Sequence, residues 1–200
     1  MRHLIVSAFL TLDGVVQAPG GPEEDTTGGF AHGGWSFPYW DAMMGEAMDA
    51  ATAAPFDLLL GRRTYEIFAA HWPHAEDEMA RKLNGAVKHV ASRTLRRLDW
   101  ANARLIEGDI AAGVARLKAA SGPDLLVMGS GNLVQTLLAA SLVNEWRLWT
   151  FPLVLGAGKR LFADGTVPAA LRLTGSRVST TGVVIGTYVP DGPIRTGSFA

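Results

Sequence analysis

Three apolar runs in this chain each stop at a short polar or glycine-bearing turn. They are Phe56-Asp57-Leu58-Leu59-Leu60 into Gly61-Arg62-Arg63-Thr64, Val87-Lys88-His89-Val90-Ala91 into Ser92-Arg93-Thr94, and Leu125-Leu126-Val127-Met128 into Gly129-Ser130-Gly131-Asn132. A strand that ends on a small residue and turns into a helix presents unpaired backbone N–H groups at the helix N-terminus, where the partial positive charge attracts an anion. Two of the turns add arginine, whose forked guanidinium pairs with phosphate oxygens through two donors at once. Taken singly, Arg62 and Arg93 read as solvated surface charges; in matching turns they read as phosphate ligands. Three such turns suggest a ligand with several phosphates, and a dinucleotide fits better than a mononucleotide.

Other chemistry is less specific. Asp13 before Gly14 is either an Asx-turn residue or part of a substrate pocket. A helix capped by Asp41 carries two carboxylates, Glu46 and Asp49, which read as solvated helical charges, Glu46 on the flank of the Met43/Ala47 stripe. His32, His71 and His74 lack metal-ligand spacing, so no metal is expected. Gly129-Ser130-Gly131-Asn132-Leu133-Val134 has valine where a Rossmann fingerprint needs a third small residue, and the next strand ends at Thr150-Phe151 without an acid for the ribose. In Gly156-Ala157-Gly158-Lys159-Arg160 the first glycine of a Walker loop falls on Leu153 and its magnesium-binding hydroxyl on Arg160, which argues against a P-loop.

The elements that must position these residues alternate between strand and helix. His3 to Leu10 is apolar throughout and reads as a central strand. A long glycine- and aromatic-rich segment follows to about Trp40. Then come the Asp41-capped helix closed by Pro55, a strand to Leu60, a helix from Thr64 toward Trp72-Pro73, and a short helix from Glu76 to Leu83 stopped at Asn84-Gly85. Strands at Val87–Ala91 and Arg104–Glu107 precede a helix capped by Asp109. Strand Leu125–Met128, helix Leu133–Ala140 and strand Trp146–Phe151 lead to Leu171–Ser179 and Val183–Val189, an antiparallel hairpin.

Composition bounds the function. At 200 residues and 48% hydrophobic content the chain can bury one core, so a single domain over 1–200 is expected. A net charge of -1 gives no general attraction to nucleic acid or anionic membrane. With 0 cysteines, disulfides, thiolate metal sites and a cysteine nucleophile are excluded. No run is long enough to span a membrane and no signal peptide is recognisable, which makes cytoplasmic the expected location.

In order and spacing the motifs resemble the dihydrofolate reductase-like fold, and within it the riboflavin-biosynthesis reductase domain in free-standing form. The resemblance covers nearly the whole chain. It rests on Leu12-Asp13-Gly14, Leu60-Gly61-Arg62-Arg63-Thr64-Tyr65-Glu66, Ser92-Arg93-Thr94, Gly129-Ser130-Gly131, and Pro152-Leu153-Val154-Leu155-Gly156-Ala157-Gly158-Lys159-Arg160-Leu161-Phe162. It implies a three-layer α/β fold with an eight-stranded, mostly parallel mixed sheet and an antiparallel C-terminal hairpin. It further implies NADPH as hydride donor for a small heterocyclic or carbonyl substrate, as in 5-amino-6-(5-phosphoribosylamino)uracil reductases. The zinc deaminase domain that bifunctional relatives carry is not expected in a cysteine-free sequence of this length.

Carried over by position, Gly61, Arg63 and Thr64 would meet the pyrophosphate, and Arg62, Ser92 and Arg93 the adenosine 2′-phosphate, with Thr94 beside them. Gly129, Ser130, Gly131 and Asn132 would close the other side, Ser130 standing where such folds often have glycine. Trp35 and Leu155 are candidate substrate contacts. Dihydrofolate reductases proper place a carboxylate on the first long helix facing the pterin, so the resemblance makes Glu46, ahead of Asp49, the proton-donor candidate beside Asp13. A pterin or folate reductase, and a catalytically idle NADP-binding protein, remain alternatives. A homodimer is expected through the last two strands and the Trp146-Arg147-Leu148-Trp149 strand.

Overall fold

β1 (Leu4–Thr11) is buried along nearly its whole length because it lies inside the sheet, parallel to β5 (Asp124–Met128) on one side and to β6 (Glu145–Phe151) on the other. A computed structural model describes residues 1–199; the last residue of the expected 1–200 span lies outside the described residues. Beyond β5 come β2 (Phe56–Gly61), β3 (Lys88–Ala91) and β4 (Ala103–Leu105), all parallel. On the other side β8 (Val184–Pro190) and β7 (Leu171–Val178) run antiparallel, closing an eight-stranded sheet of order β4-β3-β2-β5-β1-β6-β8-β7. Consecutive side chains of a strand point to opposite faces, so the continuous apolar runs of β1, β2 and β5 supply two cores at once.

On one face Leu4, Val6, Leu59, Leu125 and Val127 pack under α4 (Ile110–Ala119) and α5 (Gly131–Ala139) through Val114, Val134 and Leu137. On the other face Leu58, Leu60 and Val90 pack with Tyr65 of α2 (Arg62–His71) and Leu83 of α3 (Glu78–Gly85). Trp149 and Phe151 pack with Met44 of α1 (Ala42–Ala51) and with Val15, Phe30 and Trp35 from the long segment after β1. The methionine stripe of α1 is therefore core, and the glycine-rich segment is anchored by its own aromatics.

The helices divide by their caps. Asp41, Asp77 and Asp109 each accept the backbone N–H three residues on, at 2.9, 2.8 and 2.8 Å, and so close α1, α3 and α4. α2 and α5 begin on Gly61 and Ser130, and neither has a side-chain cap or an acidic residue in its first turn. Both start two residues earlier than the sequence pattern implies, at Arg62 and Gly131 instead of Thr64 and Leu133, so their first turns sit directly on the strand ends.

One expectation is corrected. The Trp146-Arg147-Leu148-Trp149 strand is interior, flanked by β1 and β8, and both tryptophans are buried. Pairing on both sides, parallel to β1 and antiparallel to β8, removes it from any edge. The edge strands are β4 and β7, and the residues of β7 after Leu171 are solvent-exposed.

Candidate functional site

β3, β2 and β5 are neighbours and all parallel, so their C-terminal ends line one margin of the sheet. The three turns follow in that spatial order: Ser92-Arg93-Thr94, then Gly61-Arg62-Arg63-Thr64, then Gly129-Ser130-Gly131-Asn132. The crevice outside the carboxyl ends of parallel strands is where open α/β sheets receive ligands.

The central pair of turns is laced together. The Gly61 N–H donates to Ser130 Oγ at 3.0 Å, the Ser130 N–H donates to Thr64 Oγ1 at 3.1 Å, and Ser130 Oγ donates to the Met128 carbonyl at 3.3 Å. Gly129 and Ser130 both take left-handed backbone, with φ of 61° and 57°. Glycine adopts this at no steric cost, whereas serine is strained there. A Cβ on Gly129 would meet Thr64 only at 3.5 Å, so it is the backbone angle that calls for glycine. Gly131 and Asn132 form the first turn of α5, Asn132 with an exposed side chain.

Three arginines stand around these turns. Arg62 Nη1 is 3.8 Å from Glu66, and Arg63 Nη2 is 3.6 Å from Asp25; both side chains are about half exposed. Arg93 is exposed and, among the described residues, has no hydrogen-bond or ion-pair partner. Ser92 Oγ accepts the N–H groups of Thr94 and Leu95 at 3.2 and 3.0 Å, which fixes the backbone that carries Arg93.

A set of residues that motif reading did not single out latches the long segment to the same margin. Asp25 is buried; its carboxylate accepts Lys159 Nζ at 2.6 Å and the Thr27 hydroxyl at 2.6 Å. Burial raises its pKa, but the bonds from Lys159 and Thr27 outweigh burial and leave it lowered. Gln17 completes the latch, donating to the carbonyls of Asp25 and Thr27 at 3.0 and 2.9 Å and accepting the Lys159 N–H at 3.1 Å. A cavity of about 570 Å³ opens beside it, lined by Gln17, Thr27, Phe30, His32, Gly158 and Lys159 among others. The only advance signal was Lys159 within the Gly156-Ala157-Gly158-Lys159-Arg160 run.

Asp13 follows β1 at the same margin of the sheet, whereas Glu46 lies on α1 away from the turns. Asp13 accepts the Thr11 hydroxyl at 2.5 Å and the N–H groups of Leu155 and Gly156 at 3.2 and 2.8 Å, with Arg160 3.6 Å away. The Thr11 bond, opposed by burial and joined by the backbone bonds, holds its pKa at about 2. It is thus a clamp between two loops, the reverse of a carboxyl kept protonated for proton donation. Glu46 is 74% exposed and faces Arg177 of β7 at 3.6 Å, while Asp49 faces Lys82 at 3.9 Å. α1 buries its methionines and so turns both carboxylates outward. Trp35 is buried, edge-on to Phe151 at 5.1 Å, with Nε1 donating to the Gln17 carbonyl at 2.8 Å. It holds the segment onto the core instead of lining an open pocket. Leu155 is half-buried against that core, and its N–H is taken by Asp13. Among the described residues no group of three or more His, Asp or Glu side chains is placed to hold a metal, and no helix is long and apolar enough to cross a membrane.

An eight-stranded, mostly parallel sheet with helices on both faces and an antiparallel C-terminal hairpin is the dihydrofolate reductase-like fold. Within that class the chain belongs to the RibD C-terminal domain family, whose model matches residues 2–185. It is 28% identical over 188 residues to the uncharacterised protein YyaP of Bacillus subtilis strain 168, covering 92% of each chain.

Solved structures of the same fold include a protein from Shewanella sp. PV-4 described as a riboflavin biosynthesis protein, with TM-score 0.67, 19% identity, and coverage of 95% of this chain and 99% of that one. The deaminase/5-amino-6-(5-phosphoribosylamino)uracil reductase of Thermotoga maritima matches with TM-score 0.62 and 15% identity over 95% of this chain and 57% of that one. Dihydrofolate reductase of Enterococcus faecalis, complexed with NADP(H) and RAB-propyl, matches with TM-score 0.58 and 13% identity over 94% and 96%. At these identities the structural likeness establishes the fold.

Proposed function

We propose that this protein is an NADPH-dependent reductase of a small heterocyclic or carbonyl substrate, of the riboflavin-biosynthesis reductase type. The observation that carries the reading is the juxtaposition at one sheet margin of two helix N-termini without side-chain caps and of Arg93, exposed and without a partner among the described residues. Anions are stabilised at such termini by oriented N–H groups and the helix dipole. Membership of the RibD C-terminal domain family supports the reductase assignment.

The turns fit a dinucleotide. The first turns of α2 and α5 would receive the pyrophosphate, Thr64 would add a hydroxyl, and Arg62, Ser92 and Arg93 would hold the 2′-phosphate. NADPH, when bound, supplies hydride; the chain's own part is to bind it, orient the acceptor and exclude water. The Asp25–Lys159 latch holds the long segment against the same margin. A pterin or folate reductase is less well supported, because the α1 carboxylates that reading requires face outward. We also propose that the protein acts as a homodimer, with β7 covered by a second copy.

The test is a fluorescence titration of the purified protein with NADPH and NADH, followed by NADPH-consumption assays over pyrimidine, pterin and carbonyl panels. Tighter binding of NADPH and substrate-dependent oxidation are expected. A preference for NADH overturns the cofactor assignment, and NADPH binding without turnover on any panel identifies an idle binder.

A further inference from the structure

Resting on the reading of these turns as a nucleotide site, we infer that Ser130 is a positioning residue that holds the N-termini of α2 and α5 at a set separation before any ligand arrives. It accomplishes this through two other residues. Its Oγ accepts the Gly61 N–H at 3.0 Å on the last residue of β2, and its own N–H donates to Thr64 Oγ1 at 3.1 Å in the first turn of α2. Ser130 is itself the cap residue of α5, so both helix starts are tied through one side chain and one backbone amide.

Two features set this apart from ordinary turn packing. First, Ser130 holds left-handed backbone at φ 57° and ψ 44°, where serine is strained and glycine is not. Glycine at 130 would adopt the same turn freely, but it would leave the Gly61 N–H without its partner. Second, the clamp decides which donors remain for phosphate. The Gly61 N–H is used, so the α2 donors that face an anion are those beyond it. Thr64 Oγ1 accepts from Ser130, so its hydroxyl proton is left to donate outward. A ligand with two linked phosphates then meets two donor groups already held at a fixed spacing, and less ordering is left to the binding step.

The experiment compares wild type with Ser130→Gly, Ser130→Ala and Ser130→Asn by NADPH titration and by melting temperature without ligand. In Ser130→Gly, relief of backbone strain offsets the lost bonds of Oγ to Gly61 and Met128, so the melting temperature stays close to wild type while NADPH binds about five- to twenty-fold more weakly. Ser130→Ala keeps the strain and loses the bond, so both stability and affinity fall. Asparagine tolerates left-handed backbone and offers an acceptor, Oδ1, one bond beyond the position of the serine oxygen, so Ser130→Asn is expected to recover part of the affinity and bind NADPH more tightly than Ser130→Gly. Ser130→Gly binding NADPH as tightly as wild type, or Ser130→Asn binding no better than Ser130→Gly, overturns the clamp while leaving the nucleotide site intact. Failure of the wild type to bind either NADPH or NADH overturns the nucleotide reading itself.

Discussion

The carboxylate of Asp13 accepts the backbone N–H of Gly156 at 2.8 Å, joining the turn after β1 to the loop after β6 across 143 positions of sequence. With the Thr11 hydroxyl as the main cause, its pKa is held at about 2 against an ordinary 3.8. A folded-state value below the unfolded one means that the stabilisation is fully present above about pH 4 and is lost as the pH falls through about 2. Asp13→Asn is therefore expected to flatten the acid limb of stability, measured by urea unfolding across that range. An unchanged acid slope would show that the clamp contributes nothing.

NADPH differs from NADH by the 2′-phosphate assigned to Arg62, Ser92 and Arg93. A charge-assisted bond worth about 1.5–3 kcal/mol makes Arg93→Ala weaken NADPH about ten- to a hundred-fold with NADH nearly unchanged. Arg62→Ala is expected to behave alike. Titration of both cofactors against each variant checks this, and equal losses for the two would move the arginines to the pyrophosphate or the fold.

Lys88 opens β3 fully buried, its Nζ donating to the carbonyls of Asn84 and Ala101 at 2.7 and 3.1 Å and lying 4.2 Å from the centroid of the Trp100 ring. Burial without a carboxylate partner pushes its pKa from 10.5 down to about 8. Between those values the unfolded chain binds a proton that the folded chain has released, so this residue makes stability rise with pH over that interval. Denaturant unfolding from pH 7.5 to 10.5 is expected to show the rise in wild type and not in Lys88→Met. Parallel curves for the two proteins would contradict it.

Glu46 faces solvent and Arg177, so Glu46→Gln is expected to change turnover less than about two-fold and stability by no more than about 0.5 kcal/mol. Steady-state kinetics on the active substrate decides. A ten-fold fall in kcat would return Glu46 to catalysis.

β7 has a free backbone edge and apolar side chains in water, Leu173 at 50% and Val178 at 64% exposure. Long uncovered edges are hazards that proteins usually cover. Light scattering at micromolar concentration is expected to give a dimer for wild type and a monomer for Leu173→Glu combined with Val178→Glu. A monomeric wild type would remove the proposed interface.

The three strand-to-turn boundaries and the caps at Asp41 and Asp109 were legible from residues alone, because an apolar run, a glycine and a capping carboxylate act within a few positions of one another. The family resemblance carried the sheet further, since the motifs recur in order along most of the chain. Only the tertiary structure decided that β6 is interior, that Asp13 is a clamp and that α1 turns Glu46 outward. The same holds for Asp25 and Lys159, which meet at 2.6 Å across 134 positions. Strand order brings distant residues together, and the charge a carboxyl or ammonium keeps depends on what then packs against it, which no local spacing encodes.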